Sequence, residues 1–139
     1  MKKFLYAFLI AMSASIFIVQ AKAQVIVIAN NSVKASDVSK NDLKDVFTGA
    51  STSLGGGSVV PILLKAGSAH EEFLQAYIGK NDTAYRAGWR SLVFSGQATM
   101  PKSVDGDAAV VEFVAHNAGA IGYIGKASPH DGVKVLTVK

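Results

Sequence analysis

Lys65-Ala66-Gly67-Ser68-Ala69-His70 brings together residue types that can hold an anion. The segment follows an apolar run over residues 59–64, which reads as a buried strand. It leads into Glu71-Glu72-Phe73-Leu74, where a helical pattern begins. A helix start leaves its first backbone N–H groups unpaired and carries a partial positive charge. Placed after a strand and a tight Gly-Ser turn, such a start is a ready anion site. Lys65 would add a full charge and Ser68 a hydroxyl. A structural reading competes: Ser68 and Glu71 stand at capping-box spacing, and Glu71 would then occupy the same positive end.

Other candidate chemistry is sparse. The histidines are His70, His116 and His130, and no two stand four apart. No helical metal pair results, and no further ligands converge on them. Ser68 with His70 is not a nucleophile and base, because side chains two apart on a helix diverge. There is no Gly-x-Ser-x-Gly elbow. The histidines therefore read as solvent-facing loop or helix-end residues, and His116 suits the negative end of a helix. Gly55-Gly56-Gly57 follows a helix and precedes a strand, the reverse of a phosphate-binding P-loop, and reads as flexible linker. Tyr85, Trp89 and Leu92 recur at helical spacing and read as core, with Arg86 and Arg90 on a neighbouring, solvent-facing side. No enzyme activity, metal or cofactor is expected.

The elements that must position the loop are legible by period and by caps. Residues 25–29 form a short β-branched run, a buried strand. Ser39 and Asp42 fit a capping box before Leu43, Val46 and Phe47, and Gly49 suits a left-handed stop. Residues 51–58 read as a polar loop. The strand over residues 59–64 contains Pro61, which points to an edge or irregular position. Strand, helix and strand at this spacing predict a right-handed βαβ crossover. A second helix runs from Ser68 through Phe73, Leu74, Tyr77 and Ile78 to Gly79. A third is capped by Asn81 or Asp82. Residues 95–104 read as loop. Asp105-Gly106-Asp107 opens a fourth helix, which Asn117-Ala118-Gly119 closes. Residues 120–124 and 133–138 are strands, with a turn over 129–132. Four strands and four helices, interspersed, predict an α/β domain: a small mixed sheet flanked by helices.

The N-terminus is expected to be a targeting segment. Lys2 and Lys3 precede an apolar stretch, and Ala21-Lys22-Ala23 is an A-x-A cleavage pattern, so residues 1–23 read as a signal peptide. The apolar run is short for a membrane span of about 20 residues. The predicted product is a periplasmic domain over residues 24–139 with no stable membrane insertion. The chain has 14 lysines and arginines against 10 acids. Three of those cations and none of the acids lie in the leader, leaving 11 against 10. A nearly neutral domain lacks the clustered basic face that nucleic acid requires. The absence of cysteine excludes disulfides and thiolate metal sites.

The order of three motifs resembles periplasmic solute-binding proteins of the phosphate ABC transporter type. Leu43-Lys44-Asp45-Val46-Phe47-Thr48-Gly49 is similar to that family's helix-ending L-x-x-I-F-x-G. Val60-Pro61, followed by Lys65-Ala66-Gly67-Ser68-Ala69-His70-Glu71-Glu72-Phe73, resembles its V-P-…-R-x-x-G-S-G-T-x-x-x-F loop. Asn117-Ala118-Gly119-Ala120-Ile121-Gly122-Tyr123 resembles its P-G-A-I-G-Y strand entry. The resemblance implies a single lobe of a type II periplasmic-binding-protein-like fold. It also implies that phosphate or a similar oxyanion binds at Lys65, Gly67, Ser68, Ala69 and His70. Lys65 stands where Arg is usual and loses the bidentate fork; Ala69-His70 replaces Gly-Thr and removes a hydroxyl. Full-length members close two lobes on the ligand, and this chain corresponds to about one. An ABC permease or another copy of the chain would be the partner. The alternative is a protein-interaction module that retains the fold without the ligand.

Overall fold

The computed structural model describes residues 24–139. The expected signal peptide lies outside them. The strands are β1 (Val25–Ala29), β2 (Asp37–Val38), β3 (Ser53–Leu54), β4 (Gly57–Ser58), β5 (Val60–Leu64), β6 (Lys102–Val104), β7 (Ala120–Gly125) and β8 (Lys134–Val138). The helices are α1 (Lys40–Thr48), α2 (Ser68–Phe73), α3 (Asp82–Phe94) and α4 (Asp107–His116). A π-helical turn over Leu74–Ile78 continues α2.

Six strands form one mixed sheet in the order β2-β8-β1-β7-β5-β6, and β3 and β4 form a separate hairpin. This is the α/β arrangement the sequence predicts. β7 is the central strand, antiparallel to β1 and parallel to β5. Its residues Ala120 to Ile124 are all buried, so both faces of the sheet are covered. Consecutive strand residues face opposite sides. A Cβ on Gly122 would meet Val110 and Val114, which places α4 over that face. Tyr123 meets Phe73 at 3.9 Å and Phe47 at 5.7 Å between ring centroids, which places α1 and α2 over the other. Such aromatic pairs add about 0.5–1.5 kcal/mol each beyond their buried area.

Local signals explain most of the helices. Ser39 Oγ accepts the Asp42 N–H at 3.0 Å and Asn81 Oδ1 the Ala84 N–H at 2.8 Å, capping α1 and α3 as their sequences predict. Gly49 ends α1 at φ 83°, and a Cβ there would lie 2.6 Å from Leu92 Cδ1. Tyr85 and Trp89 are core, and both donate to the Phe47 carbonyl at the end of α1.

Several expectations are corrected. β1 and β5 are not a βαβ pair. β7 lies between them, and they run in opposite directions. The reason is a turn after β1, where Asn30 Oδ1 accepts the Ser32 N–H and Asn30 O the Val33 N–H. It reverses the chain into β2, so α1 crosses over from β2 to β5. Pro61 is not on an edge strand, since β5 is flanked by β7 and β6; it sits one residue before the β6 pairing begins at Ile62. The glycine-rich segment is a hairpin rather than a loose linker. Gly55 and Gly56 take φ 60° and 85°, the geometry of a two-residue primed turn. Residues 102–104, read as loop, pair with β5.

Gly122 shows how closely α4 approaches the sheet. An added Cβ would sit 2.7 Å from Val110 Cγ1 and 2.9 Å from Ile62 Cγ2, both on fully buried, branched side chains. Gly122→Ala is expected to cost about 1–3 kcal/mol through overpacking. Urea denaturation reads this as a lowered midpoint, and an unchanged midpoint would show that α4 can move away freely.

Candidate functional site

β5, β6 and β7 are mutually parallel, and the chain leaves each of them at the same end of the sheet. Open α/β sheets place ligand crevices there. A cleft of about 510 Å³ lies at that end, lined by three segments: residues 66–69 after β5, residues 105–107 after β6, and residues 125–128 from the end of β7. Gln24, Leu64 and Glu72 complete it.

Gly67, Ser68 and Ala69 all line the cleft, at the start of α2. The cap differs from the expected one. Gly67, not Ser68, is the N-cap, and no side chain caps the helix. Gly67 has φ 107°, in the range that favours glycine, and this turn lets the helix begin one residue earlier than a Ser68 cap would. Ser68 thus becomes the first helical residue, and its hydroxyl is not committed to Glu71. No side chain caps the first N–H groups of α2, and the residues that carry them line the cleft. α4 also starts from a glycine, Gly106, with no side-chain cap. There, however, Asp107 stands in the first turn, and its carboxylate accepts the Gly125 N–H at 3.0 Å and the Ser128 hydroxyl at 2.5 Å.

Lys65 is exposed at the rim, with Nζ 3.4 Å from Asp105 Oδ2. Solvent screens such a pair, which contributes little to stability. The cleft lining carries Glu72, Asp105 and Asp107 against Lys126. Among the described residues, no group of three or more histidine, cysteine or acidic side chains could hold a metal.

His70 is not in the cleft. It is 1% exposed and turned into the core, which corrects both its candidacy as a ligand and its reading as a solvent-facing residue. The cause is position: three residues before the buried Phe73, His70 falls on the inward side of α2. Its Nδ1 lies 2.5 Å from Tyr123 Oη and its Nε2 lies 2.6 Å from Asp82 Oδ1. Tyr123 Oη in turn accepts the Leu64 N–H at 3.1 Å. Arg86, expected in solvent, is mostly buried and clamps this region. Its Nε donates to Asp82 Oδ1 at 2.8 Å, and its Nη2 donates to the Leu64 and Lys65 carbonyls at 3.0 Å each. His116, by contrast, lies exposed in the last turn of α4, and His130 is half-buried beside the Ser128 carbonyl.

Burial pushes the Tyr85 phenol up to about 12, and it raises the Tyr123 phenol further still. Both hydroxyls therefore remain protonated and able to donate at any ordinary pH. Burial works to raise the Asp82 carboxyl, but hydrogen bonds from His70 and Arg86 and the Arg86 charge outweigh it and hold Asp82 below the usual carboxylate range. Nothing in the sequence links Tyr123 to Asp82 and Arg86. The one local signal was the four-residue spacing of Asp82 and Arg86, which permits an ion pair on a helix.

Comparison with known proteins reaches the fold. No protein-family model matches the chain, and no curated protein matches it. Among solved structures, a putative phosphate ABC transporter substrate-binding protein with bound phosphate from Clostridium perfringens is similar, with a TM-score of 0.64 at 23% identity, over 83% of this chain and 44% of that one. PstS from Borrelia burgdorferi gives a TM-score of 0.60 at 18% identity over 84% of this chain and 47% of its own. An ABC-type phosphate transport receptor from Vibrio cholerae gives 0.57 at 17% identity over 83% and 46%.

Two substitutions probe the interior polar chain. Tyr123→Phe leaves the Leu64 N–H and His70 Nδ1 without a partner, and is expected to cost about 1–3 kcal/mol in denaturant unfolding; no loss would mean another group satisfies them. The depressed Asp82 carboxyl contributes stability above the unfolded carboxyl pKa of about 3.9, and that contribution is lost as pH falls through the folded value. Asp82→Asn should flatten the acid limb of the stability profile below about pH 4, and an acid limb as steep as that of the wild type would contradict this. The chain spans less than half the length of the phosphate substrate-binding proteins it superposes on, and its described residues have the fold of one lobe of a periplasmic-binding-protein-like architecture, a small mixed sheet flanked by helices.

Proposed function

We propose that the protein binds phosphate or a similar tetrahedral oxyanion in the cleft at the start of α2, as a solute-binding component of export-compartment transport. The observation that carries this reading is the uncapped start of α2: glycine at the N-cap, no side-chain acceptor, and cleft-lining Gly67, Ser68 and Ala69. Backbone N–H groups there would donate to the anion, Ser68 would add its hydroxyl, and Lys65 would supply charge from the rim. His70 is not among the ligands. The likeness to phosphate-binding structures supports the same chemistry. The resemblance of the apolar leader to a signal peptide supports a periplasmic setting, and an ABC permease is the partner that such a protein would serve.

The α4 start is the poorer place for the anion, because Asp107 already puts negative charge there. Three cleft carboxylates against Lys126 oppose a dianion, and the cleft is open to water. Hydrogen bonds made in competition with water gain little net free energy. The affinity expected of this lobe alone is therefore weak, with Kd on the order of a millimolar. The same acidic surplus favours the second reading, a protein-interaction module that keeps the fold without the ligand.

Calorimetric titration with phosphate and with sulfate separates the two. Binding that weakens by about tenfold in Ser68→Ala, the size of one charge-assisted hydrogen bond, and less in the rim variant Lys65→Ala, is the expected result. No heat at tens of millimolar anion would remove the transport reading, and binding indifferent to both substitutions would place the site elsewhere.

A further inference from the structure

The polar chain beneath the cleft has a direction. Tyr123 Oη accepts the Leu64 N–H, so its own proton is free to be given on, and the acceptor within reach is His70 Nδ1 at 2.5 Å. An Nδ1 that accepts leaves the imidazole proton on Nε2, which points at Asp82 Oδ1, 2.6 Å away. Asp82 also receives the Arg86 Nε–H, and Arg86 Nη2 grips the carbonyls of Leu64 and Lys65. The chain thus starts at the Leu64 N–H and returns to the Leu64 carbonyl. Every member is satisfied with neutral His70, and no buried side-chain polar atom among the described residues lacks a partner.

We propose that His70 is a positioning residue for the cleft: neutral and protonated on Nε2, it fixes the backbone of residues 64–68 through Tyr123 on one side and Asp82–Arg86 on the other, and a second proton releases that backbone. The groups facing the ring are Tyr123 from β7 and Tyr85, Asp82 and, through Asp82, Arg86 from α3. Geometry opposes a second ring proton, because an Nδ1–H would point at a Tyr123 oxygen that already accepts from Leu64. The phenol proton would then lose its acceptor in the core. Tyr123 must turn or the strand must shift, and either change frees the Leu64 N–H. The purpose of this positioning rests on the anion reading of the cleft, but the positioning itself is read on the ligand-free protein.

Nitrogen NMR of the histidine-labelled protein near pH 7 should show His70 with Nε2 protonated and Nδ1 bare; an Nδ1–H tautomer, or a charged ring at that pH, would overturn the assignment. In amide exchange, His70→Leu removes the acceptor for Tyr123, and the Leu64 amide should exchange about tenfold faster, the size of one net hydrogen bond. The amides of the β1–β7 ladder should hold their rates. Should His70→Leu not fold, Asp82→Ala, at the exposed end of the chain, should speed exchange at Leu64 in the same way. In the wild type, Leu64 exchange corrected for intrinsic rate should rise as the ring takes its second proton, with the midpoint of the ring's own titration. Equal acceleration across the β1–β7 ladder, or an unchanged Leu64 rate, would reduce His70 to a core residue. A phosphate titration of the same samples reads the cleft proposal separately, since its failure leaves the Leu64 result standing.

Discussion

A phenol hydroxyl buried in the middle of a sheet needs partners, because leaving it unsatisfied costs about 1–3 kcal/mol. Tyr123 meets that demand by reaching across two elements. Its oxygen takes the Leu64 N–H, a group that β5 cannot pair with β7, because their ladder extends only over Val60 and Pro61. Its proton goes to His70 on α2. Its ring stacks on Phe73, also on α2, at an interplanar angle of 1°. One side chain on the central strand therefore fixes both where β5 ends and how α2 is rotated. The start of α2 and the floor of the cleft follow from those two settings.

α3 completes the arrangement from the outside. Arg86 neutralises Asp82 through Nε while its Nη2 holds two successive carbonyls at the end of β5, and a lysine, with a single nitrogen, could not serve both sets of partners. The loop that follows is thus held at its root by a guanidinium and by a hydroxyl, while residues 66–68 at its tip are exposed. A rigid root with an exposed, uncapped helix start is the combination that an anion site needs: donors already aimed, and little ordering cost on binding. The lobe does not enclose the cleft, and under the proposed function its carboxylates would limit anion affinity.

The sequence displayed the parts that depend on near neighbours. The Ser39 and Asn81 caps, the Gly49 and Gly79 stops and the aromatic stripe of Tyr85 and Trp89 all act within one or two helical turns. The loop proposed to hold an anion was visible for the same reason, although its glycine at φ 107° moved the cap from Ser68 to Gly67. Strand direction was hidden, because it was decided by a short turn at Asn30 whose carbonyl and side chain fold the chain back into a strand of only two residues. The role of His70 was hidden too. Its partners lie 12 and 53 residues away, and nothing adjacent to it marks the ring as buried. Arg86 looked like a surface cation because its carbonyl partners belong to a strand that sequence periodicity cannot place beside it.

The exposed start of α2 is the proposed anion site. Adding inorganic phosphate to the amide-labelled protein and following its ¹H–¹⁵N spectrum tests this most directly. Saturable shifts centred on the amides of Gly67, Ser68 and Ala69, with Gly106 and Asp107 moving less, are the predicted result. A spectrum that does not change, or shifts confined to Lys126 and other surface lysines, would contradict it.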